Sequence, residues 1–146
     1  MMEIPANSPD TFVEKELSKE TIERGIKVLS NLGFNTESFA ELVGKRVLDI
    51  GSGAAEAVQV FRKHGIDATP LDADDSFRGV IPGYIVADAT KEIPFSDNTF
   101  EITMAYANPI FDTESIEAYS EALRVTKEGG QLRIGPFFLP VRKTRT

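Results

Sequence analysis

The feature that most limits how this chain can fold is a short apolar run that ends in two glycines. Val47, Leu48 and Ile50 are apolar and two of them are β-branched, which predicts a buried strand. Gly51 and Gly53 follow one residue apart, and an alanine-rich pattern of helical composition begins behind them. A strand that turns tightly on glycines into a helix surrounds one small cavity with backbone N–H groups and the positive helix end. We therefore expect the binding corner of a doubly wound α/β sheet.

The overall composition predicts one soluble domain and excludes several kinds of site. The chain has 146 residues, 41% of them apolar and 27% charged, and its net charge of −7 disfavours nucleic acid and anionic membranes as partners. It contains no cysteine and one histidine, which excludes a disulfide, a thiolate zinc site and a multi-histidine metal site. We recognise neither a membrane-spanning run nor a signal peptide, so the expected location is the cytoplasm.

The hydrophobic pattern divides the domain into an N-terminal helical segment, residues 1–43, and a core, residues 44–146. Apolar residues recur at helical spacing over residues 18–32, and further helical turns follow before the first strand. Phe12 and Phe39 are expected to pack in the core. The alternative for this segment is a lid over the binding site.

The identity of the residue that follows the glycines narrows the choice of ligand. The dinucleotide pattern Gly-x-Gly-x-x-Gly needs a small residue where this chain has Glu56, and a carboxylate there would face a pyrophosphate. A nicotinamide or flavin cofactor is therefore disfavoured. No Gly-Lys-Ser/Thr follows, so a P-loop is excluded. On its own, the glycine pair also fits a tight turn that binds nothing.

An acidic residue at the end of the second strand would complete a nucleoside site, because a carboxylate there can accept both ribose hydroxyls. Residues 66–71 predict that strand, with an irregularity at Pro70. Asp72 follows it directly, with Ala73 beside it. The alternative is a solvated acidic turn that caps a short helix, residues 76–80. We favour ribose binding by Asp72.

The remainder of the chain predicts two more strands, a helix and a fifth strand. The third strand covers residues 84–87 and the fourth covers residues 100–105. An amphipathic helix follows over residues 116–126. Gly129 and Gly130 are expected to make the sharp turn that leads from this helix into the fifth strand.

Several of these segments together resemble the Rossmann-like S-adenosylmethionine-dependent methyltransferases of the small-molecule type. Residues 49–55, Asp-Ile-Gly-Ser-Gly-Ala-Ala, are similar to the family pattern Asp/Glu-x-Gly-x-Gly-x-Gly, with Ala55 in place of the last glycine. Residues 123–134 are similar to Leu-Arg-Val-Leu-Lys-Pro-Gly-Gly-x-Leu-x-Ile. Between them come an Asp-Ala pair, an Ile-Pro-Phe, an acidic turn and a Phe-Glu, in the order typical of the family. The resemblance covers residues 45–136.

The resemblance implies a sheet of about five parallel strands in the order 3-2-1-4-5, with helices on both faces. It implies S-adenosylmethionine as the cofactor and S-adenosylhomocysteine as its product. The expected cofactor-binding residues are Asp49, Gly51, Gly53, Asp72, Ala73, Asp88, Ala89 and Tyr106. Asp49 and the two glycines would shape the methionine end, and Asp72 would hold the ribose.

The resemblance assigns the adenine to residues after the third strand. Asp88 would accept from the adenine amino group and the backbone N–H of Ala89 would bind the ring; the alternative for Asp88 is a strand-end cap. Tyr106, after the fourth strand, is expected near the sulfonium and is the better substrate-facing candidate. Residues 108–111, Asn-Pro-Ile-Phe, resemble a motif that holds planar amino groups. We favour a connection into the next helix, N-capped by Asp112 or Thr113.

The chain departs from the family at its end. The family's complete sheet has two more strands, an antiparallel pair beyond the fifth, and after Ile134 the chain has no residues to form them. The fifth strand would then be an exposed edge, which proteins usually cover or pair. Residues 137–141 could fold over this edge, a second subunit could cover it, or the chain could be a shortened form of a longer parent.

The leading hypothesis is methyl transfer to a small-molecule acceptor by in-line displacement, with no general base identified and no metal. The expected partners are a small-molecule substrate and a homo-oligomer that covers the fifth strand, with no nucleic acid and no membrane. A second hypothesis is a degenerate methyltransferase fold that binds the cofactor without turnover. A third is an NAD-dependent oxidoreductase, which Glu56 disfavours.

Overall fold

The computed structural model describes residues 16–108, 111, 116–135, 137–140 and 143, and its central element is one six-stranded sheet. The elements in chain order are α1 (Lys19–Asn31), a 3-10 helix (Thr36–Leu42), β1 (Arg46–Ile50), α2 (Glu56–Lys63), β2 (Asp67–Asp72), β3 (Ile85–Val86), β4 (Phe100–Ala105), α3 (Ile116–Val125), β5 (Thr126–Ile134) and β6 (Phe137–Pro140). None of the helices in these ranges is long and apolar enough to cross a bilayer.

The strands lie in the order β3-β2-β1-β4-β5-β6, and the first five run parallel. This confirms the predicted doubly wound sheet and its strand order 3-2-1-4-5. The central strand β1 pairs with β2 on one side and with β4 on the other, through Asp49↔Pro70 and Asp49↔Met104. The order reverses between β1 and β4, and the carboxyl ends on either side of such a reversal are where open α/β sheets bind ligands.

The fifth strand is not the edge of the sheet, because β6 pairs with it in the antiparallel direction. Four residue pairs join the two strands, from Gln131↔Pro140 to Ile134↔Phe137. The expectation that both last strands are missing is therefore wrong for the first of them. A four-residue run that ends in proline gives only a weak strand signal in sequence. Because β5 is paired, the reason for expecting a second subunit at its edge no longer holds.

Helices cover both faces of the sheet. The helices α1 and α2 and the 3-10 helix pack on one face, and α3 packs on the other. On the first face Phe39 is 2% exposed and its ring meets Phe61 edge-on at 5.3 Å, which confirms its predicted place in the core. Phe12 lies outside the described residues. The division into residues 1–43 and 44–146 stays a prediction.

The close approach of α1 to α2 depends on a glycine in the middle of α1. A β-carbon on Gly25 would lie 2.6 Å from the carbonyl oxygen of Glu56, so only glycine fits there. The side chain of Ser18 caps α1 by accepting from the N–H of Thr21 at 3.1 Å. The helix is thus fixed in place directly beside the loop that leads into α2.

The connection from α3 into β5 differs from the predicted glycine turn. The helix ends at Val125 and the strand begins at the next residue. Phe100 pairs with Thr126 and Ile102 pairs with Gln131, so residues 127–130 stand opposite Glu101 alone. Gly129 and Gly130 therefore lie inside a bulge of four residues in β5. A β-carbon on Gly130 would lie 2.5 Å from the carbonyl oxygen of Glu101, which accounts for the second glycine.

Two smaller expectations after β1 are also wrong. Residues 76–80 form isolated turns, Arg78 N–H to the Asp75 carbonyl and Val80 N–H to the Phe77 carbonyl, and not a helix. So short a stretch cannot repay the cost of helix nucleation. At Pro70 the register with β1 is continuous. On the other side of β2, β3 pairs only with the last two residues of the strand, so Pro70 has no partner in β3.

Candidate functional site

The loop between β1 and α2, residues 51–55, adopts the backbone conformation that its glycines predict. Gly51 and Gly53 have φ angles of +76° and +55°, in the left-handed region that favours glycine. Ala55 also lies there, at φ +58°, as the residue that caps α2. The alanine that replaces the third glycine of the family pattern therefore keeps the turn, at a cost of about 1 kcal/mol in backbone strain.

A residue just after β4 explains why position 51 must be glycine. Asn108 follows the end of β4, and a β-carbon on Gly51 would overlap its side-chain amide. The Nδ2 group of Asn108 donates to the carbonyl of Ile50 at 3.4 Å. Asn108, predicted to be part of a connection into the next helix, lies against the glycine loop. Asp112 and Thr113, the expected N-caps of the helix that follows this connection, lie outside the described residues.

Asp72 ends β2 with its carboxylate held on both sides. Its Oδ2 accepts from the N–H of Gly53 and its Oδ1 accepts from the N–H of Asp74, both at 3.0 Å. Each carboxylate oxygen can accept a second hydrogen bond, so two acceptor positions remain for a ligand. The turn-capping alternative is thus observed in part, and it is compatible with the ribose-binding role.

A cleft of about 210 Å³ opens beside Asp72 at the carboxyl ends of β1 to β4. Its lining residues are Ile50, Gly51, Leu71, Asp72, Ala73, Ala87, Ala89, Ala107 and Asn108. They include four of the predicted cofactor residues. Apart from Asp72 and Asn108 the lining side chains are apolar or absent, so the cleft offers a slot for a flat apolar ring with one carboxylate beside it.

Asp88 lies after β3, and its carboxylate is hydrogen-bonded to Thr90, two residues further on. The Oδ1 atom accepts from the hydroxyl of Thr90 at 2.6 Å and from its N–H at 2.9 Å, and these bonds hold the pKa of Asp88 below its usual range. This is the predicted alternative, a strand-end cap. The neighbours Ala87 and Ala89 line the cleft and Asp88 does not, so adenine binding by its side chain stays a prediction.

Asp49 lies behind the glycine loop, on the opposite face of β1 from Ile50. Its side chain is 5% exposed, and Oδ2 accepts from the hydroxyl of Ser52 at 2.7 Å. Burial raises the pKa of Asp49 to about 7, and the nearby Asp72 and Glu56 carboxylates add to the rise, against the effect of the Ser52 bond. The predicted contact of Asp49 with the methionine end is untested, and its visible role is to anchor the loop.

Tyr106 connects the end of β4 to α1. Its hydroxyl accepts from the side-chain amide of Asn31 at 2.7 Å, and its ring packs against Gly135 and the core that contains Leu32. It does not line the cleft. Tyr106 and Asp49 therefore belong to the helix-covered side of the loop, while Asp72 and Ala89 belong to the cleft.

Tyr84, which no sequence pattern marked as a site residue, contacts the glycine loop. Tyr84 precedes β3, is 8% exposed, and donates its hydroxyl to the carbonyl of Gly53 at 2.6 Å. In the sequence it has the appearance of an ordinary core residue at the start of a strand, and no pattern marks its contact with a residue 31 positions earlier. Within the described residues no cluster of three or more acidic or histidine side chains could hold a metal ion.

The parallel sheet, the left-handed glycine loop and the carboxylate at the end of β2 are typical of the Rossmann-like folds that bind nucleosides. The methyltransferase domain family matches residues 48–134, more than half of the chain, and includes every strand from β2 to β5. The chain belongs to this family, in the class I group of small-molecule methyltransferases. The methyl donor of that group is S-adenosylmethionine, as predicted.

Curated relatives and solved structures agree with this placement. Demethylmenaquinone methyltransferase of Paenarthrobacter aurescens is 33% identical over 108 residues, which are 68% of this chain and 41% of that protein. The ubiquinone/menaquinone biosynthesis C-methyltransferase UbiE of Idiomarina loihiensis is 36% identical over 117 residues, 69% of this chain and 46% of that protein. The chain therefore spans less than half the length of these relatives.

A solved structure supports the fold. Haemonchus contortus phosphoethanolamine N-methyltransferase 2, in complex with S-adenosyl-L-methionine, matches 77% of this chain and 27% of its own with a TM-score of 0.60. The identity is 22%, so the likeness concerns the architecture alone.

Proposed function

We propose that this chain binds S-adenosylmethionine in the cleft beside Asp72 and transfers its methyl group to a small-molecule acceptor. The observation that carries the proposal is the Asp72 carboxylate, held by the N–H groups of Gly53 and Asp74 at the mouth of an apolar slot. A ribose would donate its hydroxyls to this carboxylate, while an adenine would lie against the alanines that line the slot.

The residues present fit the nucleoside half of the cofactor. The left-handed Gly51 keeps the loop backbone open toward the cleft, and Ala87 and Ala89 leave room for a planar ring. The cleft, at about 210 Å³, is smaller than the roughly 300 Å³ at the lower end of ordinary ligand pockets. The methionine half would therefore extend past the loop, toward the side where Asp49 and Tyr106 lie.

In this reaction the protein mainly has to align the methyl donor with the acceptor. The sulfonium of S-adenosylmethionine supplies an activated methyl group, which passes to the acceptor as the S–C bond breaks and S-adenosylhomocysteine leaves; a proton is lost from the acceptor where it carried one. Asp72 and the glycine loop would fix the donor so that the attacking atom approaches in line. The names of the relatives support an acceptor with a quinone-type ring, and the atom that is methylated stays open.

Calorimetric titration tests the binding step. We expect S-adenosylmethionine and S-adenosylhomocysteine to bind with micromolar affinity and NAD not to bind. Asp72→Asn removes the charge that two ribose hydroxyls would face, and affinity for both adenosyl compounds should fall at least about tenfold. Asp75→Asn is the matched control, because Asp75 is exposed in the same acidic turn and does not line the cleft.

Three results would change the proposal. Equal affinity in Asp72→Asn and the unchanged chain would show that the ribose site is misplaced. Binding of NAD would favour the oxidoreductase alternative. Tight binding of S-adenosylmethionine with no methyl transfer to any quinol or phenol acceptor would favour the cofactor-binding module without turnover.

A further inference from the structure

The hydroxyl of Tyr84, the residue before β3, reaches the glycine loop after β1. Its ring is stacked on Phe77, with centroids 6.3 Å apart, and its O–H donates to the carbonyl of Gly53 at 2.6 Å. A hydroxyl buried in this way is costly to leave without a partner. The ring packing and the hydrogen bond therefore support each other and fix the position of the Gly53 carbonyl.

Gly53 connects Tyr84 to Asp72, which lines the cleft. Its N–H donates to Oδ2 of Asp72 at 3.0 Å, so the two polar groups of one residue tie the loop to the start of β3 and to the end of β2. Nothing lies within 4 Å of where a β-carbon on Gly53 would stand. Side-chain packing on that side does not hold this residue in place, and its two hydrogen bonds must do so.

We propose that Tyr84 is a positioning residue of the cofactor site, which holds Asp72 toward the cleft through Gly53 before a ligand binds. The proposal rests on the proposed function, because it assumes that Asp72 receives the ribose. Without the hydroxyl, the Gly53–Ala54 peptide that carries the carbonyl can rotate and change the backbone angles of Gly53. The Ser52–Gly53 peptide, whose N–H donates to Asp72, is then no longer held against the carboxylate, which loses one of its two N–H donors. The cost of ordering the loop and the carboxylate would then fall on the binding step.

The electrostatic surroundings keep this hydroxyl a donor. Burial raises the pKa of Tyr84 above its ordinary value, and the carboxylates of Asp72, Asp49 and Asp74 raise it further. An ionised phenolate could not donate to the Gly53 carbonyl. Because its pKa lies above the ordinary value of 10, the bond persists throughout the neutral pH range.

The chain offers a matched pair of variants for the test. Tyr84→Phe removes the hydroxyl and keeps the ring. Tyr119→Phe removes a hydroxyl that also donates to a backbone carbonyl, that of Phe111 at 3.2 Å, but Tyr119 packs with the core on the other face of the sheet and not against the glycine loop. By calorimetry we expect S-adenosylhomocysteine to bind about tenfold more weakly to Tyr84→Phe and within twofold of wild type to Tyr119→Phe. Affinity within twofold of wild type in Tyr84→Phe would overturn the proposal.

A double-mutant cycle tests whether Tyr84 acts through Asp72. In an Asp72→Asn background the loss of the Tyr84 hydroxyl should weaken the binding of S-adenosylhomocysteine by less than about twofold, because the charged acceptor that the hydroxyl orients is gone. A purely structural effect of Tyr84 would persist at its full tenfold in that background, and the proposal would then be wrong.

Amide exchange of the unliganded chain separates this proposal from the proposed function. We expect the Gly53 N–H to exchange at least tenfold faster in Tyr84→Phe and unchanged in Tyr119→Phe. Asp72→Asn should also speed it, which provides a second variant should Tyr84→Phe fold poorly. If wild type binds no S-adenosylhomocysteine while Gly53 exchange still rises, the proposed function has failed and the link from Tyr84 to Asp72 stands. Unchanged exchange refutes that link whatever the chain binds.

Discussion

The buried carboxylate of Asp49 leads to a prediction about how stability depends on pH. Burial raises its pKa from 3.8 to about 7 in the folded chain, while the unfolded chain keeps the ordinary value. Between these two values the folded chain holds a proton that the unfolded chain has released. Raising the pH through this range therefore destabilises the folded state.

The size of the effect follows from the shift. About three pKa units at 1.36 kcal/mol each correspond to about 4 kcal/mol of lost stability at pH values well above 7. About 3 kcal/mol of this should develop between pH 5 and pH 8. Asp49→Asn removes the titrating group and keeps an oxygen that can accept from Ser52. The stability of the variant, measured relative to wild type, should therefore rise by about 3 kcal/mol over that interval.

Urea unfolding of both proteins at several pH values measures this difference. Comparing two pH values cancels any constant cost of fitting the amide into the site. Asp75→Asn makes the same change of charge at an exposed position and should show no such trend. If the difference between wild type and Asp49→Asn does not change with pH, Asp49 is not desolvated as the structure indicates. A direct NMR titration of its carboxyl carbon would show the same.

Two further substitutions test the loop and the surface of α3. Gly51→Ala should destabilise the chain by more than Gly44→Ala. Both positions have positive φ, so alanine costs about 1–2 kcal/mol in strain at each, but only at Gly51 would the new methyl group meet Asn108. Equal losses of stability in thermal unfolding would contradict this contact. Arg124→Ala should cost about 2 kcal/mol, because the guanidinium bonds two backbone carbonyls and Glu121. The bond to Arg124 holds the pKa of Glu121 below its ordinary value of 4.5, so the gap to wild type should narrow as the pH falls from 4.5 through this lowered pKa. A gap that stays constant as the pH falls would show that the ion pair contributes nothing.

The parts of the fold that the sequence predicted are those whose signal is local. The β1 strand, the glycine loop and Asp72 were recognisable because apolar period, glycine spacing and an acid at the strand end occur within one short stretch. The same holds for β4, whose observed bounds, Phe100–Ala105, are those predicted. Each of these elements is specified mainly by its own residues.

The parts that the sequence did not predict depend on contacts between distant residues. Tyr84 meets Gly53, and Asn108 meets Ile50 from 58 positions away; neither pair has a pattern that a single sequence reveals. The bonds from Thr90 to Oδ1 of Asp88 were likewise not predicted, and whether this carboxylate also binds a ligand stays a prediction. A carboxylate type can be read from sequence, but the direction in which it points is decided by neighbours that only the folded chain brings together.

The short strand β6 has a consequence for how the molecule behaves at high concentration. A parallel sheet that stopped at β5 would offer nine residues of unpaired backbone to any passing strand. The hairpin partner replaces this with an outer edge of four residues that ends in Pro140, which has no N–H to donate. An edge this short offers few backbone groups to the strand of another molecule, so edge-to-edge growth of the sheet is discouraged on this side.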